Sequence, residues 1–192
     1  MLKRVFVLIA CLFVLSSSAT MAANYRYFTE DVKIESALEM LDDIGAKEIF
    51  DNLHENSVKI MFYDLTQISF KHANHFAMNT VDTWGNRYIL INSKFKNAPT
   101  EQIACLIAHE SCHKANKATL AEETLATRTE AKYWTVLKKR NIAYANTSLT
   151  RRLNSLANLE SVSTVDNDLI ENRISNSRFY QEQLVLRERK SF

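Results

Sequence analysis

From residue 103 to 108 the chain reads Ile-Ala-Cys-Leu-Ile-Ala without a charge, and it continues directly into His109-Glu110-Ser111-Cys112-His113. No other stretch restricts the fold as tightly. An uncharged run of this kind reads as a helix inside the core rather than one lying on the surface. Its continuation carries two imidazoles and a carboxylate, which are expensive to bury unless a partner compensates them. Residues four apart on an α-helix share a face, so His109 and His113 can aim ring nitrogens at one point. Glu110 projects about 100° round the helix from His109 and falls beside that point. A metal ion there would resolve the conflict, with the histidines supplying half of a tetrahedral shell and Glu110 acting on a water as general base. The alternative, two unrelated histidines and a solvated glutamate on a surface helix, sits badly with the apolar flank.

Gly45, Gly85 and Pro99 are the only strong breakers in 192 residues, so the chain reads as one helix-rich domain of the α+β class, long enough to bury a core. Ile34, Ala37, Leu38, Leu41 and Ile44 follow helical spacing over 30–44, and a short helix with Ile49, Phe50 and Leu53 inward follows. Residues 58–65, 76–81 and 87–91 are rich in β-branched and aromatic side chains. They predict a small antiparallel sheet packed beside the motif helix, with 76–81 and 87–91 as a hairpin. The motif helix is expected over 100–115, with Pro99 in its first turn and Asn116 as a left-handed stop. Further helical patterns cover 149–159 and 169–184, and the tail from 187 to 192 reads as frayed.

The start has a different character. Lys3 and Arg4 precede an apolar run over 5–15, then three serines and the small residues Ala19, Ala22 and Ala23. This is the pattern of a secretory signal peptide spanning 1–23, with the folded domain over 24–192. The run is short for a membrane span, which argues against a retained anchor and leaves no stable span after cleavage. Leu8-Ile9-Ala10-Cys11 also looks like a lipoprotein box, but cutting there would leave a very short apolar region and put Leu12 to Leu15 in the product. The expected location is therefore exported, periplasmic or secreted. Without Lys3 and Arg4, the 24 Lys and Arg become 22 against 22 Asp and Glu, so there is no basic footprint for nucleic acid. Cys105 and Cys112 are seven apart on one helix, about 10 Å along its axis and beyond disulfide reach. They read as buried thiols, with a cysteine-containing metal site on the 105, 109, 112 stripe as the alternative.

A catalytic zinc takes three protein ligands and leaves one position for water. The next helix offers three glutamates. Thr119-Leu120-Ala121-Glu122 is a capping box, which gives Glu122 a structural task. Glu123, Ala126, Glu130, Trp134 and Leu137 form one stripe, so Glu123 and Glu130 both extend an apolar face inward, where carboxylates need a cation or hydrogen bonds.

With His109-Glu110-x-x-His113 on one helix and Glu123-Thr124-Leu125-Ala126 on the next, the chain resembles the zincin metallopeptidases, specifically the gluzincin-like group, in which H-E-x-x-H is followed by E-x-x-A. The likeness covers residues 106–134 firmly and the preceding sheet more loosely. It implies one Zn2+ held by His109, His113 and Glu123, with Glu110 as the catalytic base, and a peptide or protein substrate hydrolysed through a zinc-bound water. In such enzymes an edge strand holds the extended peptide. Glu130 is the alternative third ligand, with Glu122 behind it. Three departures stand out: Lys114 follows the second histidine, only nine residues separate His113 from Glu123, and Thr127 occupies the place of an aspartate found in several relatives. Glu130 can replace that aspartate as acceptor for a ligand histidine, and Lys114 must reach outward. Tyr133 and Tyr180 are candidate oxyanion donors, while His72, His75 and Trp84 could line the cleft or simply lie at the surface. The competing function is a non-catalytic zinc-binding or pseudoprotease module that recognises an exported peptide or an envelope partner; a coincidental motif in an exported helical protein is the third reading.

Overall fold

The computed structural model describes residues 25–114, 118–140, 143–164, 168–177 and Tyr180. The signal peptide, Asn116 and the 187–192 tail fall outside the described residues.

Helix α1 (Val32–Asp43) starts at Asp31, whose carboxylate accepts the N–H groups of Lys33 and Ile34, and its inward stripe is Ile34, Ala37, Leu38 and Leu41. Gly45 then takes the left-handed conformation (φ 72°) that ends this turn and admits α2 (Lys47–Glu55). Strand β1 (Lys59–Tyr63) leads through two short 3-10 turns to β2 (Ala77–Val81) and β3 (Arg87–Asn92). The β2–β3 turn is organised by Asp82, which accepts the backbone N–H groups of Trp84 and Asn86 at 2.8 and 2.9 Å, with Gly85 at φ 88°. Helix α3 (Thr100–Ser111) follows Pro99. Side-chain oxygens of Thr119, Thr147 and Asp168 cap α4 (Leu120–Leu137), α5 (Ser148–Val162) and α6 (Leu169–Asn176).

The helix-rich α+β architecture is as expected, and β2 and β3 form the expected antiparallel hairpin. The sheet as a whole is not antiparallel. Among the described residues the strand order is β1-β3-β2, and β1 runs parallel to β3 with Ile60 opposite Ile89 and Phe62 opposite Ile91. Side-chain alternation marks a strand without marking its direction. Residues 64–76 and the whole of β2 intervene before β3, long enough to carry the chain across and back.

Helix α3 sits at the centre, against α1, α4, β2 and β3, which is why every residue from Glu101 to Ser111 is buried. Ile60, Ile89 and Ile91 of the sheet, Ile34 and Leu38 of α1, and Trp134 and Leu137 of α4 close one continuous core around it. A smaller cluster of Ala131, Leu156, Ile170 and Ile174 locks α4, α5 and α6 together. No helix of the described residues is long and apolar enough to cross a membrane.

Candidate metal centre

Helix α3 stops earlier than its sequence suggests. Ser111 is its last α-helical residue, Cys112 caps it, and His113 follows in a tightened final turn closed by Cys112 N–H to His109 C=O (3.1 Å) and His113 N–H to Glu110 C=O (3.3 Å). The sheet holds that turn in place. Asn79 Nδ2 donates to the Glu110 carbonyl at 3.0 Å and to the His113 carbonyl at 3.4 Å, while Arg87 donates from Nη1 to the His113 carbonyl at 3.0 Å and from Nη2 to the Lys114 carbonyl at 2.9 Å. The His113 and Lys114 carbonyls lie past the helix end, where backbone acceptors lack intrahelical partners, and a cation there also suits the helix dipole.

The motif rings end up 5.3 Å apart, centre to centre, at 65°. His109, His113 and Glu123 form a buried group whose donor atoms all lie within 4.8 Å of one another. His109 Nε2 is 3.8 Å from Glu123 Oε2, and His113 Nε2 is 4.0 Å from Glu123 Oε1. Those gaps are too wide for hydrogen bonds. A tetrahedral ion with bonds of about 2.0–2.1 Å would hold its ligand atoms about 3.3–3.4 Å apart, so the group is preassembled but a few tenths of an ångström more open than a closed shell. Among the described residues no hydrogen bond reaches the Glu123 carboxylate, which is 5% exposed, and its ion-pair contacts are with the two imidazoles. Two imidazoles and one carboxylate, buried and convergent, are a donor set that could hold a metal ion.

Each imidazole turns its other nitrogen to a different glutamate. His109 Nδ1 lies 3.1 Å from Glu130 Oε2, a hydrogen-bonding distance on a bent approach, and His113 Nδ1 lies 3.7 Å from Glu122 Oε1. Burial alone would lower the His113 pKa, but the nearby Glu122, Glu110 and Glu123 carboxylates outweigh it and raise it. For Glu130 the balance has the opposite outcome. Burial would raise its pKa, but Arg152 and His109 hold it below the usual carboxylate range.

The three candidate third ligands therefore separate by which nitrogens they face: Glu123 meets both Nε2 atoms, Glu130 and Glu122 one Nδ1 each. Glu122 also departs from its expected task. Thr119 does cap the Glu122 N–H (3.2 Å), but the Glu122 carboxylate reaches back to the Lys114 N–H (2.8 Å) and so spans the connection between the two helices. Glu110 is buried beside the candidate ligands, and Lys114 is exposed as anticipated.

The outlying candidates scatter. The Tyr133 hydroxyl donates to Glu48 and Tyr180 faces Arg152. His72 and His75 turn their Nδ1 atoms to each other at 3.0 Å, and Trp84 stands in solvent at the hairpin turn. Cys105 and Cys112 are buried free thiols, both pushed up in pKa chiefly by burial. Sequence reading missed Asn79, Arg87 and Arg152. A phase signal existed for two of them: Asn79 shares its strand face with the buried Ala77, and Arg152 falls between the inward Leu149 and Leu156 at helical spacing.

Comparison with protein families, curated proteins and solved structures gives no match for this chain.

Proposed function

We propose that this chain is an exported zinc-dependent metallopeptidase of the gluzincin-like kind, acting on a peptide or protein substrate. The observation that carries the reading is the convergence of both Nε2 atoms on Glu123 with Glu110 buried alongside. His109, His113 and Glu123 would hold the ion. A zinc ion bound there would polarise a scissile carbonyl and lower the pKa of a water. Glu110 would take the proton from the attacking water and deliver it to the leaving amine. Glu130 keeps the His109 ring oriented from the far side, and Asn79 and Arg87 keep the turn that carries His113 from drifting.

One observation favours the second reading, a zinc-binding module without catalysis that recognises an exported peptide or an envelope partner. Tyr133 is committed to Glu48 and Tyr180 faces Arg152, so both expected oxyanion donors are engaged elsewhere. Bound zinc and hydrolysis of a broad peptide library, measured in wild type and Glu110→Gln, separate the readings. Zinc retained with hydrolysis lost in the variant supports the peptidase. Zinc without hydrolysis in either protein supports the module, and a metal-replete wild type lacking stoichiometric zinc sinks both.

A further inference from the structure

Glu123 and Glu130 lie two turns apart on α4, and both are buried against the same histidine. Their surroundings differ in one respect. Glu130 Oε1 accepts a hydrogen bond from Nη1 of Arg152 while Oε2 lies 3.1 Å from His109 Nδ1 on a bent approach, whereas among the described residues the ion-pair contacts of the Glu123 oxygens are with the imidazole Nε2 atoms. Arg152 comes from α5 and is itself well held. Its side chain is 18% exposed, its guanidinium lies 5.2 Å over the Phe76 ring just before β2, and Tyr180 approaches it from the C-terminal segment.

We propose that Arg152 is the positioning residue of the metal centre: by occupying one oxygen of Glu130 it aims the other at His109 Nδ1, fixes that ring with Nε2 toward the ion, and leaves Glu123 as the third ligand. The inference rests on the metal-binding reading above. A guanidinium suits the task because it stays charged and presents its donors in a rigid plane, so it sets the direction of a carboxylate as well as its charge. The ion pair with Arg152 also explains why a fully buried glutamate is tolerated so close to Glu123. Its charge is spent on Arg152 rather than competing for the cation.

The experiment measures Zn2+ affinity by competition with a chromogenic chelator and the visible spectrum of the Co2+-loaded protein. It compares wild type, Arg152→Lys, Arg152→Met, Glu130→Gln and the Glu130→Gln/Arg152→Met double variant. Because Arg152 acts through Glu130, Arg152→Met should weaken Zn2+ binding about 10–100-fold and alter the Co2+ spectrum, with Arg152→Lys in between. The same substitution should have no further effect once residue 130 is glutamine. A merely structural arginine would weaken binding equally in both backgrounds, and that result overturns the proposal, as does a folded Arg152→Met protein with wild-type affinity. If Arg152→Met alone does not fold, the comparison of Glu130→Gln with the double variant still decides, since it removes no partner from a full charge. A wild type that binds no Zn2+ overturns the metal reading itself, whereas a zinc-binding wild type indifferent to Arg152 overturns only the positioning role.

Discussion

Replacing Arg87 by Met tests whether the sheet orders the end of α3 and the proposed metal site on it. The guanidinium donates two hydrogen bonds, at 3.0 and 2.9 Å, to the carbonyls of His113 and Lys114, in the turn that carries the candidate ligand His113 past the end of α3. A hydrogen bond from a charged donor contributes about 1.5–3 kcal/mol when buried. Arg87 is only half-buried and the Lys114 end is open to solvent, so the pair together should contribute roughly 1–2 kcal/mol. For a domain of this size that is a fall in apo Tm of about 2–8 °C. The metal adds a separate readout. Zinc stabilises the folded state in proportion to its affinity, and each tenfold weakening removes about 1.4 kcal/mol of that effect. If a loosened His113 weakens zinc binding tenfold, the zinc-induced rise in Tm should shrink by roughly 3–6 °C beyond the apo loss. Calorimetry with and without zinc reads both quantities. Arg140→Met is the control, since its exposed pair with Asp43 should contribute at most about 1 kcal/mol. An Arg87→Met protein with lowered apo Tm but an undiminished zinc shift would show that the clamp is structural only, and an unchanged apo Tm would refute the clamp altogether.

Glu123→Ala should abolish stoichiometric zinc at micromolar metal, while Glu130→Ala should keep a weakened site and lose about 3–5 kcal/mol of stability by leaving Arg152 without its carboxylate partner; metal analysis and denaturant titration read the two effects, and equal zinc loss in both variants would contradict the assignment. Cys105 and Cys112 should resist an aromatic disulfide reagent at pH 8 in the folded protein and react on unfolding, because burial raises both thiol pKa values; rapid native labelling would refute that. The Tyr133 hydrogen bond lowers the pKa of Glu48, so its contribution is present above the ordinary carboxylate value of about 4.3 and is lost as pH falls through the depressed one. Tyr133→Phe should therefore reduce stability at neutral pH by less than about 1 kcal/mol, since Glu48 is half exposed, and have no effect at acid pH. A loss that persists at acid pH would assign it to packing instead.

Much of the site was legible because its signals are local. His109, Glu110 and His113 are close in sequence, and the stripe through Glu123 and Glu130 follows helical phase, so both carboxylates could be read as inward-facing. Thr119 was readable as a cap for the same reason. Glu122 was not, since its carboxylate bonds eight residues back across the helix connection instead of closing its own first turn. The oxyanion candidates failed in a similar way, as a tyrosine's hydroxyl partner depends on what the fold brings to it; for Tyr133 that partner, Glu48, is 85 residues distant.

The sequence by itself determined most of the helical and strand segments, that a buried helix and its final turn carry two imidazoles and a carboxylate, and that the following helix turns glutamates toward them; it did not show that the helical pattern over 169–184 breaks after Asn176, where Ser177 is extended. Periodicity and cap chemistry act over a few residues and need no tertiary information. Only the tertiary structure decided that β1 runs parallel to β3, that α3 ends at Ser111 under the clamp of Asn79 and Arg87, and which nitrogen each glutamate faces. Arg152, 22 residues beyond Glu130, belongs to the same class. Each of these outcomes depends on groups distant in sequence meeting in the folded chain, and that meeting has no local signature.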